Sequence, residues 1–245
     1  MKSKAINNEF YNDLGDRWYF AKDDPVALLR AENKVKYAWI SPKLMVGSKI
    51  LDVGCGAGFM ANQLAQDGFD VVALDASNES LNVARRFDST KKVKYILGNA
   101  YTLPFDDQKF DSVVCLDFLE HVEDPALVIK EISRVLKPGG DFFFHTFDRN
   151  WLSYLIVIKG VEWFVKNTPK NMHVYPLFIK PQELQGMMDK EQLIAKEWVG
   201  IRPKVFNRAF FSSLFNRIVS DNFEFTTTKS LKISYLGHAV KAQRA

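Results

Sequence analysis

The sequence predicts an α/β fold built on a doubly wound, mostly parallel β-sheet. Three observations predict it. Ile50-Leu51-Asp52-Val53-Gly54-Cys55-Gly56-Ala57-Gly58 is a short apolar run closed by glycines at alternate positions, and the amphipathic set Phe59, Met60, Leu64 and Ala65 follows it. That order reads as strand, tight turn, helix. From 49 to 147 such strand-like and helix-like segments alternate, the pattern of βαβ units. The polar residues Asp75 and Asn99 stand at or just past the ends of the second and third predicted strands, where sheets of this kind bind ligands.

The 245 residues are 47% hydrophobic and 25% charged, the balance of a globular chain with a large core in one domain. A net charge of +4, scattered along the chain, is too weak to argue for nucleic acid, and no Asn/Asp-Pro-Pro-Tyr motif of a target-base pocket occurs. No nucleic-acid partner is expected. Cys55 and Cys115 both fall in predicted buried strand or turn sequence, so no disulfide framework is implied. The first nine residues lack an apolar region of the kind a secretory signal needs, and no run of eighteen apolar residues exists. A cytoplasmic location is the expectation.

Residues 1–45 are predicted as a mostly helical cap, carrying Phe10, Tyr11, Leu14, Trp18 and Tyr19 at near-helical spacing. Asp24-Pro25 starts a helix, with Asp as cap and Pro in the first turn, and Ser41-Pro42 ends it. The cap either packs on the sheet or closes over a bound cofactor. Residues 46–147 form the core, with strands over 49–53, 70–75, 93–97, 110–116 and 141–147. Helices cover 58–67 and 77–87, and a third opens at Asp124-Pro125 and stops at Lys137-Pro138-Gly139-Gly140. Residues 148–190 insert a very apolar segment, 151–165, and a helix over 181–189. Residues 191–245 supply two strands, 193–201 and 230–240, able to pair as an antiparallel edge around the aromatic, basic stretch 206–211.

The glycine turn identifies the ligand class. A dinucleotide turn reads G-x-G-x-x-G and places a pyrophosphate at the helix N-terminus. Here the spacing is G-x-G-x-G with Asp52 just before it. A carboxylate repels pyrophosphate and suits a cationic ligand, and S-adenosylmethionine carries both a sulfonium and an ammonium. Asp75 can accept from ribose hydroxyls. Asn99 offers a carbonyl to an adenine amine, and the main chain at Ala100 can contribute.

Taken together, Leu51-Asp52-Val53-Gly54-Cys55-Gly56-Ala57-Gly58, Leu74-Asp75, Gly98-Asn99-Ala100, Leu103-Pro104-Phe105, Leu119-Glu120-His121-Val122 and Leu136-Lys137-Pro138-Gly139-Gly140 resemble the class I S-adenosylmethionine-dependent methyltransferases over about residues 49–145. A narrower likeness spans nearly the whole chain. Arg17-Trp18-Tyr19, Leu119–Val122, Phe147-Asp148-Arg149-Asn150, Gly160-Val161-Glu162 and Phe178-Ile179-Lys180-Pro181-Gln182-Glu183-Leu184 are similar to the ubiquinone-biosynthesis O-methyltransferases. That family methylates a phenolic hydroxyl on a polyprenylated ring. The resemblance implies a seven-stranded Rossmann-like sheet. It implies a cofactor site of Lys36, Asp52, Gly54, Cys55, Gly56, Gly58, Asp75, Ala76, Asn99, Ala100 and Leu116. The chain departs from the family in three places. Asn99 stands where Asp is common. Asn33-Lys34-Val35-Lys36 replaces Asn-Pro-x-Arg, which leaves Lys36 to face the cofactor carboxylate. The chain after about residue 200 diverges, and 206–211 has no counterpart.

Methyl transfer to a phenol requires loss of the phenolic proton. One route uses His121 as general base with Glu120 beside it. Another uses a divalent cation such as Mg2+ to lower the phenol pKa. Asp117, Glu120 and His121 have i, i+3, i+4 spacing that brings them together on a helical turn, and the family carries Glu-x-x-Glu-His here. A third alternative is that Glu120-His121 is structural. His145 reads as a strand histidine and His173 as a substrate-side residue. Residues 151–165, with Lys159 inside and Lys166 and Lys170 just beyond, read either as a helix lying in a membrane interface, making the protein peripheral to the inner membrane, or as a packed lid. The acceptor is a phenolic or quinol small molecule. A soluble acceptor and a cofactor-binding protein without turnover are the competing readings.

Overall fold

Each apolar stretch of the first half becomes a strand, mostly buried in all but the third, which lies half-exposed at the sheet edge. In the computed structural model, which describes residues 6–243, these are β1 (Lys49–Val53), β2 (Asp70–Asp75), β3 (Lys94–Leu97), β4 (Phe110–Leu116) and β5 (Leu136–Phe147). They pair in parallel. The second half adds β6 (Leu193–Pro203), β7 (Phe225–Thr228) and β8 (Ser234–Lys241). The sheet runs β3-β2-β1-β4-β5-β8-β6-β7. β8 lies antiparallel between β5 and β6, so the two C-terminal strands pair as expected. The eighth strand, β7, is the difference from the seven expected. Its sequence, Phe-Thr-Thr-Thr, is half-exposed on the sheet edge and carries no apolar run.

The helices follow their caps. α1 (Arg17–Phe20) and α2 (Val26–Ile40) come first. α3 (Phe59–Gln66) leaves the glycine turn, and α4 (Asn78–Phe87) starts where the Ser77 side chain accepts from Ser80 N. α5 (Pro125–Val135) begins as predicted: Asp124 Oδ1 accepts from Ala126 N and Leu127 N at 3.1 and 3.3 Å, with Pro in the first turn. α6 (Trp151–Ser153), a π-helical turn over 154–160 and α7 (Val161–Phe164) make one continuous helical segment. α8 (Pro181–Lys190) and α9 (Arg208–Asn216) complete the set. Asp24 does not cap α2. Its buried carboxylate accepts from Arg17 at 2.6 Å, and the helix starts at Val26 without a side-chain cap. The N-terminal cap is less helical than expected. A 3-10 turn at Glu9–Asp13 is separated from α1 by Gly15 at φ +49°.

One face of the sheet packs on α5 and α8 through Val128, Ile132, Leu184 and Met188, and the other on α2 and α3 through Ile40, Met60 and Leu64. Covering both faces suits a parallel sheet. It leaves the strand ends as the place for a ligand, and the order reverses between β1 and β4. The segment 151–164 buries Val157 and Ile158 against Phe147 and Phe178, while Trp151, Trp163 and Phe164 stay exposed. No helix of the described residues is long and apolar enough to cross a membrane.

Candidate active site

A cavity of about 310 Å³ opens at the carboxyl ends of β1, β2 and β4. Its floor is the glycine turn. Asp75 fixes that turn from the next strand: Oδ2 accepts from Gly56 N and Oδ1 from Ser77 N, each at 2.8 Å. Gly54 and Gly56 have φ of +73° and +50°, a region other residues enter at a cost. A Cβ on Gly54 would fall 2.2 Å from the Phe118 ring, and one on Gly56 would meet Trp18 at 3.3 Å. The glycines are thus needed for backbone shape and for close aromatic approach. Asp52 lies in the wall, 3% exposed, and its Oδ2 has no hydrogen-bond partner. Burial, then the charge of Asp75, pushes its carboxyl up to about 7. Such an orphaned acid fits a ligand that brings a cation or a donor.

The structure gathers Asp52, Gly54, Cys55, Gly56, Asp75, Ala76 and Leu116 in this wall. It leaves out Gly58, Asn99, Ala100 and Lys36. Gly58 starts α3 at φ +80°, and a Cβ there would strike Ala84 at 2.9 Å, so close packing on Ala84 requires the glycine. Asn99 is exposed, and its Oδ1 holds Tyr101 N at 2.9 Å in a turn after β3. Ala100 is buried beside it. Asn8, Tyr11, Asn12, Trp18 and Phe59 enter the wall instead. Aromatic spacing in 10–19 was the only signal for Tyr11 and Trp18, Phe59 was marked only as part of the helix after the turn, and nothing marked Asn8 or Asn12.

Lys36 is spent elsewhere. It is 1% exposed, and its Nζ sits 2.6 Å from both oxygens of Asp117 and 3.1 Å from Glu32. His145 Nδ1 lies 2.7 Å from Asp117 Oδ1, and its Nε2 is 3.4 Å from Glu32. Burial opposes the charge on Lys36, but Asp117 and Glu32 outweigh it and raise its pKa. Burial likewise opposes the charge on Asp117, and Lys36 and His145 outweigh it and hold that carboxyl well below its usual range. Asp117 takes φ +53° at the end of β4, which turns it away from the residues that follow.

That turn splits the predicted metal set. Leu119–His121 is a single 3-10 turn, so Asp117 does not share a helical face with Glu120 and His121. Asp117 joins Glu32 and His145, while Glu120 and His121 join His173, with donor atoms within 4.8 Å of one another in each group. Magnesium prefers near-octahedral oxygen donors. The first group carries an ammonium at its centre, and the second holds two imidazoles. Neither fits Mg2+.

The second group borders the cavity. Glu120 is 1% exposed, Oε2 accepts from Thr146 at 2.7 Å, and Oε1 has no partner. Burial, then Asp117, pushes its pKa up to about 8. His121 Nδ1 lies 3.1 Å from Asn8 Oδ1, and Asn8 Nδ2 donates to the His121 carbonyl at 3.1 Å. This reciprocal pair assigns the proton to Nδ1 and leaves Nε2 as an acceptor. Burial lowers the His121 pKa to about 4, so the ring is neutral at physiological pH. The Tyr11 ring meets His121 edge-on at 5.7 Å, and His173 lies 5.4 Å from His121, centroid to centroid.

Comparison with known proteins fits this geometry. A methyltransferase-domain family model matches residues 51–144. The chain is 37% identical over 196 residues to a ubiquinone biosynthesis O-methyltransferase of Thiobacillus denitrificans, covering 78% of this chain and 84% of the relative. It is 33% identical over 236 residues to that of Photobacterium profundum, covering 94% of each. Among solved structures, a SAM-dependent methyltransferase from Methanosarcina mazei superposes with a TM-score of 0.60 at 24% identity, covering 86% of this chain and 100% of that one. One from Aquifex aeolicus gives 0.57 at 14%, covering 89% and 94%. The structural likenesses speak for the fold.

Proposed function

The chain belongs to the ubiquinone biosynthesis O-methyltransferase family of S-adenosylmethionine-dependent methyltransferases, and we propose that it methylates a phenolic hydroxyl on a prenylated ring. The observation that carries the reading is the contact between two places: the cofactor cavity, with its orphaned Asp52, and the cluster of buried Glu120 with half-buried His121 and His173 at its edge. The names of the relatives supply the acceptor class.

S-adenosylmethionine supplies, when bound, a methyl group on a sulfonium that is already activated for in-line displacement. The chain's task is then positioning and proton removal. Asp75 and the main chain at Gly54–Gly56 shape the cofactor end, and Asp52 faces the cationic part. Asn8 holds His121 so that Nε2 takes the proton from the acceptor oxygen as the new C–O bond forms and the S–C bond breaks. The Asp117 charge favours the imidazolium that results. Glu120, protonated below about pH 8, adds no second negative charge beside Asp117.

Peripheral membrane contact belongs to the same reading. Trp151, Trp163, Phe206 and Phe215 are exposed at 73, 55, 94 and 85%, and exposed aromatics with nearby lysines suit an anionic interface. Sedimentation with anionic vesicles tests it: wild type should pellet and Trp151→Glu/Phe215→Glu should not. Equal behaviour of the two would remove this part.

Transfer of labelled methyl from S-adenosylmethionine to a panel of hydroxyphenols tests the main reading. Transfer to short-chain prenyl catechols, with the label on oxygen, is expected. Transfer restricted to untailed, water-soluble acceptors would overturn the prenylated ring, and tight cofactor binding with no transfer to any hydroxyphenol would overturn the phenolic acceptor.

A further inference from the structure

We infer that a second cavity beside the cofactor cavity seats an aliphatic chain carried by the acceptor ring. The inference rests on the phenolic reading and adds where the chain goes. The cavity, of about 390 Å³, lies among α2, the 154–160 turn, α7, α9 and the ends of β5 and β6. Of the residues in its wall, four are polar or charged: Glu32, His173, Ser213 and Ser234. Both serine hydroxyls are spent on backbone carbonyls, Ser213 on Ala209 at 2.8 Å and Ser234 on Ile201 at 3.3 Å, and Glu32 is paired with Lys36. Apart from His173, which stands at the end nearest His121, what remains is apolar, with Leu28, Val161, Phe210 and Leu214 among it. A polar ligand would lose its hydration there without replacement partners. An aliphatic chain would gain by leaving water.

Two observations connect this cavity to the chemistry. Leu29 lines both cavities. His121 lines the first and His173 the second, with their rings 5.4 Å apart. A ring held with its hydroxyl at His121 Nε2 therefore has an apolar space past His173 for a substituent. The side chains closing that space, from 154–165 and 206–225, come from the two stretches that break the βαβ rhythm.

The test uses the full chain with S-adenosylmethionine and three catechols, bearing a farnesyl, a decyl or a methyl group at one ring position. Wild type should favour the long-chain compounds in kcat/KM by at least about 100-fold, the effect of burying roughly four methylene groups. A preference for farnesyl over decyl would identify an isoprenoid chain, and equal use an alkyl chain of either kind. Val161→Trp and Leu214→Trp narrow the cavity. They should lower kcat/KM for the long-chain compounds at least about 10-fold and leave the methyl compound, which also reports correct folding, unchanged. In wild type, decanol should compete with the farnesyl compound and spare the methyl one. Equal use of all three compounds by wild type, or equal losses on all three in both variants without decanol competition, would overturn the cavity assignment and leave methylation standing. If none of the three is methylated, the phenolic reading falls. Calorimetry then decides the cavity alone: decanol should bind wild type and not Leu214→Trp, and no binding to wild type would overturn it.

Discussion

Lys36 Nζ bisects the carboxylate of Asp117, 2.6 Å from each oxygen, and is itself 1% exposed. A lysine expected to meet the cofactor's carboxylate instead neutralises an acid of the chain. The acid is held at the end of β4 with φ +53°, and His145 closes the arrangement from β5. Removing one partner of such a buried pair leaves an uncompensated charge. Lys36→Met should therefore cost about 3–5 kcal/mol in urea unfolding. Lys36→Met/Asp117→Asn should recover a substantial part of that loss. An unchanged midpoint in the single variant would contradict the pairing.

Cofactor affinity separates the two strand-end polar residues. Asp75 anchors the turn through the Gly56 N–H, holds the start of α4 through the Ser77 N–H, and lines the cavity. Charge-assisted bonds of this kind contribute about 1.5–3 kcal/mol each. Asp75→Ala should weaken S-adenosylmethionine binding by about 100-fold in calorimetry. Asn99→Ala should change it by less than about threefold, because Asn99 is exposed outside the wall. Equal losses would place the adenine end at Asn99 after all.

The raised pKa of Glu120, about 8 against an ordinary 4.5, fixes a sign for stability against pH. Between those two values the folded chain holds a proton that the unfolded chain has released. This term therefore stabilises the fold fully below about pH 4.5 and is lost as pH rises to about 8. Glu120→Gln mimics the protonated form and can still accept from Thr146. It should be more stable relative to wild type at pH 8.5 than at pH 5.5, measured by thermal melts at matched ionic strength. A difference independent of pH would mean that Glu120 is ionised throughout.

The glycine-turn wall of the cavity was legible in the sequence because it depends on strand ends and on backbone. Asp52, the turn Gly54–Gly56 and Asp75 lie in or directly after strands whose apolar runs are plain. The acceptor end depends on contacts between distant residues. Asn8 and His121 are 113 positions apart, and His173 reaches the cluster from a loop. The i, i+3, i+4 spacing of Asp117, Glu120 and His121 pointed the wrong way because a left-handed residue and one 3-10 turn replace the helix it assumed. The π-helical turn at 154–160 and the threonine-rich β7 leave no periodic trace, so the walls of the second cavity could not be read from pattern.

The central claim is that the acceptor's proton is taken by His121 beside the cofactor cavity. Its most direct test is pre-steady-state methyl transfer by His121→Ala, with cofactor and acceptor both saturating. General base catalysis contributes about 100- to 10,000-fold. The expected result is a fall of at least about 100-fold in the transfer rate, with S-adenosylmethionine affinity within about threefold of wild type. A His121→Ala variant that transfers methyl at the wild-type rate would contradict the account.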